Sequence, residues 1–196
     1  NNTWYYQDNH FWNDFTWQFI RAAGSAASTT SISTGTKTYN EAIGVDPTGQ
    51  NLTHIIEIAE GLGKATGVVT SVRFSNATPA AFVAHDSSRH NYEAIAIQML
   101  EESGCEVIMG CGHPHYDHDG GYVAIPADSS YKFVGGIDQW NMILDGTAGG
   151  LNPWTFIDRK QEFQSMANGN TPARVLGIAQ VKRSLQYYRA DNPGPN

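Results

Sequence analysis

The chain has 196 residues, of which 40% are hydrophobic and 16% charged, and a formal net charge of −7. That balance supports a packed core in one domain, or in part of a larger one, and excludes a disordered chain. The acidic excess argues against a nucleic-acid backbone as partner, and no apolar run reaches the length of a membrane span.

Residues 1–23 are dense in aromatics. Phe11, Phe15 and Phe19 recur at the spacing of one helix face, which predicts an arm or helix packing on a larger body. The stretch from Gly24 to Thr38 is small and hydroxyl-rich, with Ser25 where a helix would begin and Gly35 where it would end. After a turn at Asp46-Pro47-Thr48-Gly49, the segment Asn51-Leu52-Thr53 offers a cap. The helix that follows has Ile55, Ile56, Ile58, Ala59 and Leu62 on one apolar face and is stopped by Gly61 and Gly63.

Thr66 to Phe74 is a β-rich run. A second helix is predicted from about His90 to Ser103, ended by Gly104, before a strand over Glu106–Met109. Alternating helices and nearly continuous apolar strands predict a parallel α/β sheet, with residues 24–112 as its core. Cys105 and Cys111 flank the second strand. Six strand steps of about 3.3 Å place their Cα atoms about 20 Å apart, too far for a disulfide. Residues 113–157 are rich in Gly, His, Asp and Pro, with one short helix near Ile137–Leu144, and read as an insertion at the sheet's edge. In 158–196, Asp158–Met166 is predicted helical, 171–178 returns a strand, and the end is a tail.

Ligands of parallel sheets bind beyond the carboxyl ends of strands. Beyond Phe74 lie Asn76 and Thr78, an amide and a hydroxyl suited to a hard cation such as Mg2+, or simply a polar turn with Pro79 in the first helical turn. Arg89 is either a bidentate phosphate clamp or a surface residue. Ser25 is either a helix cap or a nucleophile whose phosphate target sits at the positive helix end. His113, His115 and His118, with Asp117 and Asp119, offer zinc-type donors, but their spacing matches no closed zinc site; a solvent-facing loop is expected.

Taken together, these segments resemble the alkaline phosphatase family of the bacterial type. Ser25-Ala26-Ala27-Ser28-Thr29-Thr30 and Thr34-Gly35-Thr36-Lys37-Thr38 are similar to its nucleophile motif. Gly63-Lys64-Ala65-Thr66-Gly67, Ala77-Thr78-Pro79-Ala80 and Ala84-His85-Asp86-Ser87-Ser88-Arg89 match three more of its motifs, in the family's order. The resemblance is firm over residues 24–112 and looser over 113–188. It implies a three-layer α/β/α parallel-sheet sandwich, present here in part.

The resemblance also implies hydrolysis of phosphate monoesters to inorganic phosphate, with Ser25 as a nucleophile that passes through a phosphoserine. Two Zn2+ and one Mg2+ are implied as cofactors. Ser25 would ligate zinc, Thr78 would ligate magnesium, and Asn76 would hold a magnesium-bound water. Arg89 would clamp phosphate oxygens. A homodimeric enzyme, periplasmic or secreted, is implied as well. An inactive phosphate-binding relative is the alternative.

Three departures stand out. The family's Asp before the nucleophile is Gly24 here, and its Asp or His two positions before Thr78 is Asn76. Most of the family's metal ligands have no counterpart. The chain therefore reads as an internal piece, roughly the N-terminal half without the first strand, and is expected to be inactive unless other segments complete the site.

Overall fold

The structure is a computed structural model that describes residues 22–190, apart from 168, 170 and 188. The predicted aromatic arm and the final tail lie almost wholly outside those residues.

Helix α1, Ser25–Thr34, ends at Gly35 with φ 74°, whose N–H bonds to the Ser31 carbonyl at 2.9 Å. This left-handed cap is the conformation glycine adopts without penalty. The helix buries Ala26, Ala27, Thr29, Thr30 and Ser33, and small side chains let other backbone come close. The buried hydroxyls then need partners. Thr30 Oγ1 donates to the Ala42 carbonyl at 3.1 Å and accepts from Gly44 N at 3.0 Å, and Ser33 Oγ donates to the Ala81 carbonyl. The hydroxyl-rich composition therefore stitches α1 to two loops.

Helix α2 covers Ile55–Gly61, strand β1 Gly67–Arg73, and the single turn α3 Ala77–Ala80. Helix α4, Tyr92–Ile97, continues through a π-helical turn over Gln98–Glu102, and strand β2 is Val107–Cys111. A 3-10 helix over Asp128–Val134 precedes α5, Gly136–Leu144, and strand β3, Thr155–Ile157. Helix α6, Lys160–Met166, and strand β4, Val175–Ile178, complete the described elements.

The four strands form one parallel sheet in the order β1-β2-β4-β3, flanked by helices. In register, Val68 faces Ile108 and Ile108 faces Leu176. All of β4 is buried, as expected of a central parallel strand. Where β1 passes Gly110, a Cβ would lie 2.8 Å from the Val72 carbonyl and 2.9 Å from Phe74 N, so the crossing demands glycine. Phe74, Ile95, Met99, Leu100, Ile108, Leu176 and Ile178 fill the core without exposure. Each such side chain contributes about 1.5–3 kcal/mol on burial. Cys105 and Cys111 are both buried and free, as their strand spacing requires.

The structure refines one expectation and corrects two. The predicted apolar face of α2 is only partly covered: Ile56 packs against the core, while Ile55, Ile58 and Leu62 are 57%, 54% and 72% exposed. The 113–157 stretch does end in the edge strand β3, but it is not merely peripheral. Tyr131, Val134, Trp140 and Ile143 from it join the core cluster. The histidine loop is not solvent-facing at its start, because His113 is buried.

Candidate functional site

The first turn of α1 lies beside the carboxyl end of β1 through one side chain. Arg89 Nη1 donates to Ser25 Oγ at 2.6 Å, and Arg89 Nη2 donates to Asn76 Oδ1 at 2.9 Å. Ser25 is exposed, Arg89 is half-buried, and the two are 64 residues apart in the chain.

Each partner is placed by local chemistry. Gly24, at φ −63° and ψ 157°, is the N-cap of α1, so Ser25 is the first helical residue and its hydroxyl is not spent on capping. The first turn carries no acidic residue, which leaves the positive end of the helix uncompensated and favourable to an anion. Asn76 caps α3: its Oδ1 accepts from Ala77 N at 2.8 Å while receiving Arg89. The arginine loop is fixed from both sides. Asp86 Oδ1 accepts from Ser88 N and from Asn91 Nδ2, each at 2.8 Å. The Asp86 backbone bridges Ile43, and Arg89 N donates to the Glu41 carbonyl at 2.8 Å.

Thr78 sits in the first turn of α3 and is exposed; its hydroxyl has no hydrogen-bond partner among the described residues. Ser25, Asn76 and Arg89 are thus brought together, while Thr78 stands on the adjoining turn. As metal donors, Ser25, Asn76 and Thr78 supply neutral oxygens only, and Asn76 Oδ1 is already taken by two N–H donors. Zinc sites are built from thiolate, imidazole and carboxylate, and magnesium sites from carboxylates with water. These three side chains do not by themselves fit two Zn2+ and one Mg2+.

Gly24 leaves room for a side chain: a Cβ there meets nothing nearer than Asn40 Oδ1 at 3.5 Å. Aspartate is among the preferred N-caps and would place a carboxylate next to the Ser25–Arg89 pair. Gly24→Asp is expected to tighten inorganic-phosphate binding by holding Arg89 in place. It should also stabilise the chain by only about a few tenths of a kcal/mol through the cap, since glycine is itself a tolerated N-cap. Titration calorimetry with phosphate and urea unfolding check the two effects separately; phosphate affinity unchanged or lowered would refute the first.

His113 lies apart from this site, in an aromatic cluster. Its ring packs edge-on against Trp140 and Tyr116, with centroids at 4.9 and 4.7 Å, and its Nε2 lies 3.3 Å from Asp158 Oδ2. Burial pushes the imidazole down to about 4, against the opposing pull of Asp158, with His115 adding a smaller push in the same direction. The unfolded chain binds a proton below about 6.5 that the folded chain refuses until about 4. His113 therefore favours the folded state fully above pH 6.5. That contribution is lost as the pH falls toward 4, by up to about 3 kcal/mol. Urea unfolding between pH 7 and 4.5 should show the decline, with a flatter slope in His113→Gln; parallel slopes would refute it.

Among the described residues, one group of three metal-ligating side chains is close enough to share an ion: His54, Glu57 and His85. Sequence reading gave His85 no role beyond its motif and passed over His54. The available hint was a histidine at a helix start followed by glutamate one turn on.

Alkaline phosphatase 4 of Bacillus subtilis is 39% identical over 98 residues, 47% of this chain and 21% of the relative. The repressible alkaline phosphatase of Saccharomyces cerevisiae is 30% identical over 161 residues, 79% of this chain and 27% of the relative. The Escherichia coli alkaline phosphatase is 52% identical over 68 residues, 35% of this chain and 14% of the relative. Among solved structures, a cold-active alkaline phosphatase from a psychrophilic Shewanella sp. superposes with a TM-score of 0.58 at 34% identity. That match covers 83% of this chain and 34% of the Shewanella chain. A TAB5 alkaline phosphatase mutant with Mg bound superposes at 0.60 and 28% identity, over 82% of this chain and 40% of that one. The matched region thus amounts to between 14% and 40% of the length of these proteins. The family model for alkaline phosphatase matches residues 9–182, and with the parallel sheet and these relatives it places the chain in the alkaline phosphatase family.

Proposed function

We propose that this chain carries the nucleophile and phosphate-binding part of a phosphate monoester hydrolase. The observation that supports it best is the 2.6 Å contact of Arg89 Nη1 with Ser25 Oγ at the start of α1. A guanidinium is a permanent cation with a planar fork that matches two phosphate oxygens. Here it lies against a hydroxyl that has no capping duty.

In the proposed reaction, Ser25 Oγ forms a bond to phosphorus, the ester P–O bond breaks, and the leaving alcohol takes the serine proton. Water then cleaves the Oγ–P bond, releasing inorganic phosphate and restoring the hydroxyl. Arg89 and the helix N-terminus hold the equatorial oxygens as charge builds on them. Because recognition is directed at the phosphate, broad tolerance of the alcohol follows. Two Zn2+ and one Mg2+ are the proposed cofactors of the complete site. They require carboxylate and imidazole donors beyond Ser25, Asn76 and Thr78, so no step is assigned to a metal here. A homodimer in the periplasm or outside the cell is the proposed setting. No helix among the described residues is long and apolar enough to cross a membrane.

The test is covalent trapping. The protein with its site completed by the remaining metal donors is incubated with radiolabelled phosphate at low pH with Zn2+ and Mg2+ supplied, then acid-quenched and digested. Label on the peptide containing Ser25, absent in Ser25→Ala, is the expected result. Phosphate that binds at equilibrium without ever labelling Ser25 would instead identify an inactive phosphate-binding relative.

A further inference from the structure

His54 is the N-cap of α2 and is fully buried; Nδ1 faces the Glu57 carboxylate, yet neither ring nitrogen completes a well-formed hydrogen bond. The imidazole faces the first turn of its own helix in a capping-box arrangement without completing a bond. A buried imidazole whose polar atoms are incompletely satisfied costs free energy unless something completes its bonding.

The surroundings indicate what would. Glu57 Oε2 lies 3.1 Å from His54 Nδ1 and 4.0 Å from His85 Nε2. The two imidazoles stack with centroids 4.3 Å apart. One ligand atom from each of the three residues falls within 4.8 Å of the others. Tetrahedral zinc with bonds near 2.0–2.1 Å has ligand-to-ligand edges of about 3.3 Å, so the His54–Glu57 pair already has that spacing and His85 closes on it when the cation binds.

Supporting bonds orient the donors. Glu57 Oε2 accepts from His54 N at 2.6 Å, and the His85 backbone is held on both sides by Gln98, at 2.9 Å each. A cavity of about 180 Å³ opens onto Glu57 and His85 and is also lined by Glu60 and Glu102, an acidic approach for a cation.

We propose that His54, Glu57 and His85 form a binding site for a late first-row divalent cation, Zn2+ being the best match, with water from the cleft as the fourth ligand. His85 Nε2 exchanges its 2.8 Å contact with the Leu52 carbonyl for the metal. The site is separate from the Ser25 hydroxyl and does not depend on the function proposed above. It ties α2 to the loop that carries Arg89, so its role is structural: it fixes that loop against the rest of the fold.

The test uses the metal-stripped full chain and Zn2+ alone. Titration is expected to give one equivalent of tight binding and a rise in melting temperature. Glu57→Gln and His85→Gln, both partly exposed, should weaken binding by about tenfold or more. Ser25→Ala and the double loop variant His115→Ala/His118→Ala should leave it unchanged. X-ray absorption of the zinc-loaded wild type, which needs no variant to fold, should show two imidazole ligands. Zn2+ binding that survives both Glu57→Gln and His85→Gln would overturn the site, as would binding lost in the loop variant or a zinc spectrum without imidazole.

Discussion

Arg89→Ala is expected to weaken inorganic-phosphate binding by about 10- to 100-fold, because a hydrogen bond to a charged group contributes about 1.5–3 kcal/mol. The guanidinium holds Ser25 Oγ with one nitrogen and Asn76 Oδ1 with the other, so its removal also releases both residues. Arg89→Lys separates charge from shape. An ammonium keeps the positive charge but cannot span two oxygens as a fork, so the lysine variant should fall between wild type and alanine. Equilibrium dialysis with radiolabelled phosphate reads both variants. Equal affinity in wild type and Arg89→Ala would remove the arginine from the site. Lysine matching wild type would mean that charge alone, without bidentate geometry, holds the anion.

The second large effect is on stability. Gly44→Val should destabilise the chain by about 3 kcal/mol or more, combining a left-handed backbone penalty of about 1–2 kcal/mol with about 1–3 kcal/mol of overpacking. Gly44 has φ 58°, and a Cβ there would run into the Ala84 carbonyl and His54 Nε2. Its N–H and carbonyl are also committed, to Thr30 Oγ1 and Leu52 N. Relief by local movement would therefore break contacts that join α1, α2 and the arginine loop. Gly49→Val is the control. Gly49 has φ 87° with nothing within 4 Å, so that variant carries the backbone penalty without the overlap. Denaturant unfolding should rank wild type, Gly49→Val, then Gly44→Val. Equal losses in the two variants would mean that the crowding at Gly44 is dissipated by repacking.

These two results bear on the same small region, where α1, the 43–52 loop and the 84–89 loop meet. If the His54 cluster binds zinc, Gly44→Val should impair it as well, because the added methyls press on the His54 ring.

Much of this architecture was legible in the chain itself. Helix α1 stops at Gly35 because a left-handed glycine cap is a property of a few adjacent residues; its start, at Ser25, came one residue after the true N-cap, Gly24, whose lack of a side chain leaves the serine hydroxyl free of capping. The parallel sheet was readable because β1, β2 and β4 are short apolar runs separated by helical segments. The motifs around Ser25, Asn76–Thr78 and Arg89 named the candidate site residues before any geometry.

What the sequence alone left undecided depends on which surfaces meet. The residues Ile55, Ile58 and Leu62 have the periodicity of a buried face, yet they face outward, since periodicity records amphipathicity and not whether a neighbour covers it. The single strand turn β3 was missed because three residues carry too little pattern. His113 was hidden among flexible-looking loop residues, and only packing against Trp140 and Asp158 withdraws it from water.

The site shows the same division. Its residue types, a serine at a helix start, an amide after a strand and an arginine on a loop, were determined by sequence. Their convergence was decided by the tertiary structure, because a 2.6 Å contact across 64 residues depends on how the sheet and loops fold back, not on local spacing. The same holds for His54 and His85: burial and proximity are properties of the folded chain, and they alone bring two histidines and a capping glutamate close enough to share an ion.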